Sequence, residues 1–411
     1  MSSTRFALVP LFLGAAIFGG YATIGSITKN GFGEVIGALK EGRVAILRGA
    51  PEPYKTAYTG VAAIDNQLSV LVAFFSPLVD GPVPADVRLF YVWGMAQFVA
   101  SWTLLMLEGL RVGNRGRLVS LVSVVGLVFQ NLTWTFTVPI YLAIHLLTSP
   151  VAKLKNGDGD AGRQTLFVYL WDLALLPMSV TISFVVPAIF MSLPHLLNQN
   201  AATHWNWIAF WQPFPLWNII ALKFLHYVCY YALGSLTPRD EEARPTTPGN
   251  AYMVAVRGVY EFGLTLCAVT HLPVIIISIA PTGLRTIFLS VFPYFKEIFE
   301  QASFSGTFVP SWITNSPTVI PTGYAAGDLA PLAQHFLQYD LYVGTAPLLI
   351  WSAYLYMTTA KDASFATAIQ KTVFWMVVGG PAAACLALIW ERDDVVKEGE
   401  GKAVLEGKKT R

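Results

Sequence analysis

Charge is what this sequence has least of. Asp, Glu, Lys and Arg together make up 13% of its 411 residues, where soluble domains carry about 25%. So few charges cannot cover the surface of a soluble chain this long, which excludes a water-soluble enzyme. Cysteine is scarce too, with three residues. Cys229, Cys267 and Cys385 all lie in apolar runs and read as small buried hydrophobes, which excludes a disulfide scaffold. No Cys-x-x-Cys or His-Glu-x-x-His pair is present, so neither a metal nor another cofactor is expected. The net charge is only +2 and no basic domain stands apart, so nucleic-acid binding has no electrostatic footprint.

Apolar residues are abundant, at 54%, and the mean hydropathy is +0.53. A helix crossing the hydrocarbon needs about 20 mostly apolar residues. The stretches 6–26, 58–79, 86–108, 118–147, 165–193, 207–233, 251–279, 333–358 and 370–390 approach that requirement. The expected fold is therefore all-α, a polytopic transmembrane helical bundle of about 8–9 spans. Residues 1–393 form its single transmembrane domain, and 394–411 form a disordered cytosolic tail of mixed charge. The first stretch also reads as a signal sequence, but without a persuasive cleavage site an anchor is expected. Pro213 and Pro215 should delay or break the helix in 207–233. Segment 284–300 is too short to span and reads as an interfacial helix.

Lys and Arg in the loops set the orientation. Lys29, Lys40, Arg43, Arg48 and Lys55 form one set, Arg111, Arg115 and Arg117 a second, and the tail from Arg392 onward a third. With nine spans all three share one side, the cytosol, and Lys153, Lys155 and Arg163 fall on the other. The C-terminus is then cytosolic. The longest connections are 27–57, 234–250 and 280–332. The second is a polar, proline-rich linker, and the third reads as a cavity cap or an ordinary surface loop.

A charge at mid-membrane costs about 2.5–3.5 kcal/mol even on the gentlest scale. Asp65, Glu108, Asp172, Glu261 and Asp340 nevertheless fall within spans or at their ends, and are the candidate catalytic groups. Arg257 and Glu261, four apart, can pair across a turn. Glu108 and Arg111 suit an interfacial salt bridge or snorkelling. Asp65 opens the triplet Asp-Asn-Gln, which argues for a cavity or a polar partner. Asp172 and Asp340 have no basic neighbour in the local sequence; Asp340 stands in HFLQYDLY, five residues after His335 and next to Tyr339. A carboxyl without a cationic partner in apolar surroundings keeps its proton, as a general acid must. Under the nine-span topology Asp65 and Asp340 lie about 10 Å deep from the cytosolic side, where Glu108 also ends its span. Those three can share one cavity.

The stretch FQNLTWTFTVPIY adds Gln130, Asn131, Thr133 and Thr135 near mid-membrane, set among Phe129, Trp134 and Phe136. Threonine hydroxyls in such a place can also bond back to their own helix. Many of the aromatic residues between Trp205 and Tyr231 fit an interfacial belt, but Trp134 lies too near the centre of its span for that. Ring quadrupoles stabilise a desolvated cation by about 2 kcal/mol or more. An acid beside aromatic walls suits carbocation cyclisation in a water-poor cavity.

The stretch from Phe74 to Ser149, with FFSPLVDG, FYVWGMAQF, LEGLRVGNRG and QNLTWTFTVPIYLAIHLLTS, resembles fungal integral-membrane terpene cyclases. The nearest likeness is to those of meroterpenoid pathways of the ascofuranone and ascochlorin type. It extends through WDLALLP and His335–Tyr342 to most of the chain. It implies cyclisation, without metal, of a farnesyl-type chain on an aromatic or polyketide head after the terminal alkene has become an epoxide. The prenylated substrate would enter from the bilayer, and the resemblance implies an endoplasmic-reticulum membrane. Membrane lipids, and no obligate protein partner, are the other expected contacts. The residues themselves suggest Asp340 and Asp65 as acid and orienter, with Asp172, Glu261 and Glu108 next. Asn131, Gln130, Trp134, Trp171, His335 and Tyr339 are the expected substrate contacts. A proton-coupled transporter using His145, His226, His271 and His335 stays open, although no internal repeat supports it. A sterol-type isomerase and a non-catalytic bundle stay open as well.

Overall fold

Among the described residues the chain folds into helices and connecting turns. Those residues are 2–44, 54–80, 83–234, 250–291, 293, 296, 299–320, 328–361 and 363–393 of a computed structural model. The expected tail 394–411 and most of the linker 234–250 lie outside them. The first helices are α1 (Ser2–Ala22), α2 (Ile24–Ile27), α3 (Phe32–Lys40), α4 (Ala62–Val79) and α5 (Ala85–Leu110). Next come α6 (Val122–Leu132), α7 (Trp134–Thr148), α8 (Gly159–Leu166), α9 (Leu170–Val180) and α10 (Val186–Ser192). Then follow α11 (Ala201–Trp211), α12 (Phe214–Leu233), α13 (Asn250–Ile279), α14 (Thr282–Ser290) and α15 (Phe304–Phe308). The last are α16 (Ala330–Thr359), α17 (Phe365–Gly379) and α18 (Pro381–Asp393).

Among the described residues, six helices are long and apolar enough to cross a membrane: Thr4–Ile27, Ala62–Val79, Ala85–Leu110, Ala161–Ser192, Phe214–Leu233 and Tyr252–Ile279. The chain is thus an integral-membrane helical bundle. Helix α16 has the length, at 30 residues, but falls short in apolar content. Segment 284–300 begins with α14, and several of its later residues lie outside the description.

The spine is α5, whose 26 residues extend about 39 Å at 1.5 Å each. At one end the Asp86 carboxylate accepts from Ser303 N at 2.6 Å and Thr307 Oγ1 at 3.0 Å, which fastens α15 there. At the other end stand Glu108 and Arg111. Contacts with this spine fix the height of several other elements.

Two expected crossings turn back instead. Stretch 118–147 starts at the Glu108 end, where Ser123 Oγ lies 4.0 Å from Met106 Sδ. Helix α6 climbs until Phe129 meets Trp102, with ring centroids 5.7 Å apart. The chain reverses at Thr133, Trp134 packs on Phe98 at 5.0 Å, and α7 descends until His145 Nε2 is 3.9 Å from Glu108. Stretch 370–390 behaves alike. Helix α17 starts beside the last turns of α16, where Tyr356 OH donates to Thr367 Oγ1 at 3.2 Å. It reverses at Gly380, whose φ of 84° suits glycine, and α18 brings Arg392 down to Glu108 at 2.5 Å. Both are helical hairpins that enter from the Glu108 end and stop halfway.

A third break lies at the same height. Pro213 and Pro215 separate α11 from α12, as expected, and Trp211 and Phe214 flank the break with both rings on Phe98. The N–H groups of Leu216 and Trp217 both bond Pro213 O, at 2.9 and 3.1 Å. Gln212 O is instead taken by Gln130 Nε2 at 2.8 Å. Gln97 does the same for the Gly380 turn, donating to Gly379 O at 2.8 Å and accepting from Ala382 N at 3.0 Å. A freed backbone group inside a membrane needs such a partner.

The positive loops do not share one side. Lys29 sits at the Asp86 end, since the adjacent Asn30 O accepts from Val319 N at 2.9 Å and the segment leading there is fastened by Asp86. Lys153, Lys155 and Arg163, expected opposite Arg111, are at its end: Val112 N bonds Phe167 O at 2.8 Å, and Asn156 N bonds Thr358 O at 2.9 Å. Arg392 is fully buried and belongs to no tail. The two hairpins add returns that a count of apolar runs reads as crossings: the first reverses the loop assignments that follow it, and the second restores the side expected for Arg392.

Candidate functional site

Halfway along α5 its aromatic face meets the breaks just described. Phe90, Tyr91, Gly94, Met95 and Phe98 recur at helical spacing and form one wall of a chamber. Phe75 of α4, Trp211, Phe129, Trp134 and the Leu337–Leu341 turn of α16 complete it. The chamber has a cavity volume of about 80 Å³. A second, larger space of about 480 Å³ adjoins it, between α2–α3, α4 and the α6–α7 tip. The two share Phe75, Phe129, Gln130, Leu337 and Asp340. Asp340 therefore stands at the neck between an aromatic chamber and an outer vestibule.

The reversal before α7 is what presents a donor to that carboxyl. Thr133 has φ 148° and ψ 155°, a region occupied almost only by glycine, and holding another residue there costs about 1–3 kcal/mol. Its Oγ1 accepts from Phe136 N at 3.2 Å and caps α7. The next free N–H of the first turn, Thr135 N, donates to Asp340 Oδ1 at 2.8 Å. The positive end of α7 thus faces the carboxyl, and Asp340 makes no ion pair among the described residues.

Two glycines let the backbones approach this closely. A Cβ on Gly344, one turn below Asp340, would run into the Trp134 indole, and one on Gly19 of α1 into Thr135. Trp134 Nε1 has no hydrogen-bond partner among the described residues. Gly344→Ala should push the indole toward the chamber at a cost of about 1–3 kcal/mol. Its expected signature is a lower thermal midpoint in detergent, and an unchanged midpoint would show that the indole moves aside without strain.

The other expected acids lie elsewhere, so the shared cavity of Asp65, Asp340 and Glu108 does not exist. Asp65 falls in the first turn of α4, not seven residues into a span. Its carboxylate is spent on Thr59 N and Oγ1 at 2.7 and 2.8 Å and on Gly60 N at 3.0 Å. Glu108 belongs to a fully buried network with Arg111, Arg392 and Asp393 at the far end of α5. Asp172 is held by Lys223 at 3.1 Å and His226 at 2.8 Å, near the same end. Glu261 pairs with Arg257 at 2.6 Å on an exposed helix face, as their spacing allows.

Of the expected substrate contacts, Gln130 and Trp134 line the chamber and Asn131 the vestibule. Trp171 lies far off, donating to Gly234 O at 2.9 Å. His335 and Tyr339 instead hold the strand of chain after α15, both bonding Ser311 O at 3.1 Å. The α5 aromatics were missed as a wall. The only signal for them was a small residue, Gly94, within a bulky stripe at helical spacing. Among the described residues no three His, Cys, Asp or Glu side chains come together as a metal ion would require.

An acid at the neck of a membrane-embedded aromatic chamber defines a class of protein, and sequence comparison agrees with it. The chain belongs to the CtvD domain family, whose model matches residues 4–397. It is 26% identical to the terpene cyclase ascI of Acremonium egyptiacum, over 98% of this chain and 97% of that one. It is 24% identical to the terpene cyclase ctvD of Aspergillus terreus, over 88% of this chain and 92% of that one. With sdgD, a terpene cyclase of Emericella nidulans, the identity is 24% over 91% and 90% of the two chains. The chain is thus a member of a fungal terpene-cyclase family. No solved structure matches it.

Proposed function

We propose that the protein is an acid-initiated terpene cyclase that closes rings on an epoxidised prenyl chain attached to a polar head, as in meroterpenoid pathways of the ascofuranone and ascochlorin type. The observation that carries this is Asp340 at the neck of the aromatic chamber, with Thr135 N–H on its Oδ1. In the neutral acid the oxygen accepting an N–H serves as the carbonyl oxygen, so the proton resides on Oδ2. That proton passes to the epoxide oxygen as the bond to its more substituted carbon breaks, and the neighbouring alkene supplies the electrons for the new ring bond. The chamber rings hold the migrating positive charge. The last cation loses a proton to the Asp340 carboxylate, or is captured by an internal hydroxyl whose proton returns there. Either way the acid is regenerated and substrate and product are isomers.

The apolar chain enters from the bilayer through the vestibule. Arg111, Arg115, Arg117, Lys153, Lys155 and Arg163 gathered at the Glu108 end support a cytosolic placement of that end, in the endoplasmic-reticulum membrane that such substrates occupy. That placement puts Asp393, the end of α18, on the cytosolic side as well.

Microsomes containing the protein, incubated with an epoxyfarnesyl phenol and no added metal or nucleotide, should yield a product of unchanged mass and new retention time. Several such epoxides recovered intact would sink the proposal. Uptake driven by a proton gradient, with the substrate unaltered, would favour the transporter instead.

A further inference from the structure

The vestibule has a chemical polarity that cyclisation alone does not use. Its inner rim is the α6–α7 tip, level with Phe98 and so near the middle of the bilayer. Two adjacent amides stand on that rim. Gln130 Nε2 is spent on Gln212 O at 2.8 Å, and Asn131 Nδ2 on Leu127 O at 2.6 Å. A backbone carbonyl only accepts, so each amide nitrogen must face it, and the orientation of both groups is settled. Their oxygens, Gln130 Oε1 and Asn131 Oδ1, are left without a protein partner among the described residues, and both residues line the vestibule. Asn131 is exposed and Gln130 half-buried, and at membrane depth carbonyl oxygens such as theirs are costly unless a donor meets them.

We propose that the vestibule is the head-group site, and that it reads a hydroxylated ring through hydrogen bonds from the ring hydroxyls to Gln130 Oε1 and Asn131 Oδ1. The prenyl chain then runs past Asp340 into the chamber. This deepens the cyclase reading and rests on it for the identity of the chain. Substrates whose head hydroxyls are capped lose these bonds and leave two amide oxygens bare, so the site selects free hydroxyls over ethers. Asn131 is exposed to the vestibule, and its replacement leaves the helix break that Gln130 fastens untouched.

The test compares a farnesyl dihydroxybenzene with its dimethyl ether. Equilibrium binding to purified protein in detergent uses the unepoxidised pair, so that no chemistry is needed, and turnover in microsomes uses the epoxides. The wild-type protein should bind the free hydroxyls about a hundredfold tighter, as two hydrogen bonds of about 1.4 kcal/mol each imply, and show the same preference in KM. In Asn131→Leu the preference should fall to about tenfold, and in Gln130→Met likewise where that variant folds. Equal binding of both probes by the wild-type protein would overturn the head-group site, as would an undiminished preference in Asn131→Leu. A hydroxyl preference in binding without turnover of either epoxide would overturn the cyclase reading and leave the head-group site standing. Equal turnover of both epoxides would do the reverse.

Discussion

Asp340→Asn should give a folded protein whose cyclisation rate is lower by a factor of about 10²–10⁴, the usual contribution of a positioned general acid. Asparagine keeps an oxygen where Oδ1 accepts from Thr135 N, so the α7 cap and the strained turn at Thr133 have no reason to relax. What it removes is the transferable proton. The loss should therefore fall on kcat, with KM nearly unchanged, because the chamber walls and the vestibule are intact. Single-turnover assays with the epoxide, alongside binding of its alkene precursor, separate the two effects. A variant that cyclises within threefold of the parent would remove Asp340 from the chemistry. Asp65→Asn is the matched comparison: its carboxylate is engaged by Thr59 and Gly60, away from both spaces.

Arg392→Met should cost stability on the scale of about 3–5 kcal/mol, because it leaves a buried carboxylate short of its partner. Arg392 donates to Glu108 through two nitrogens, at 3.1 and 2.5 Å, and to Asp393 Oδ1 at 2.8 Å. Arg111 bonds Glu108, Leu166 O and Asp393, and Tyr260 OH donates to Asp393 at 2.6 Å. The two acids and two bases are all buried, so removing one charge leaves the others unbalanced. Typical domains have only about 5–15 kcal/mol in total, so the loss should appear as a large drop in the thermal midpoint in detergent. The double variant Glu108→Gln with Arg392→Met removes one charge of each sign and should recover part of it. If the single variant melted with the parent, the network would not be what joins α18 to α5.

What could be read from the sequence was local. Asp340 stood out because no basic residue lies within helical reach of it, and that isolation persists in the fold. Pro213 and Pro215 declared their break because proline acts on its own helix. Arg257 and Glu261 paired because a four-residue spacing needs nothing else. The hairpins were not legible: two apolar half-helices joined by Thr133 or Gly380 have the composition of one crossing. The first turn carries no run of breakers, and Thr133 is a residue that rarely adopts its φ; the second has Gly379, Gly380 and Pro381, which mark a break but not that the chain turns back there. Asp65 and Asp172 misled for a related reason. Their partners, Thr59 with Gly60 and Lys223 with His226, come from a loop geometry and from a neighbouring helix. Arg392 sat at the edge of a polar stretch and was counted with it, although its partner Glu108 lies 284 residues away. Once the fold is known, Gln97 and Gln130 explain how the breaks are tolerated, but glutamine in a span is equally at home on a surface.

That separation along the chain also sets a timetable. At a synthesis rate of about 5–20 residues per second, Glu108 emerges on the order of tens of seconds before the arginine that completes its pairing. During that interval α5 must sit in the bilayer with its acid balanced by Arg111 alone, and neither end of the α17–α18 hairpin yet exists. The base beneath the chamber is thus laid after its walls are standing, and a nascent chain carries one ion pair, Glu108 with Arg111, short of its other hydrogen-bond partners until assembly is almost over. Machinery that inspects newly inserted membrane proteins for unsatisfied polar groups would find here a mark that vanishes only when the last hairpin has docked.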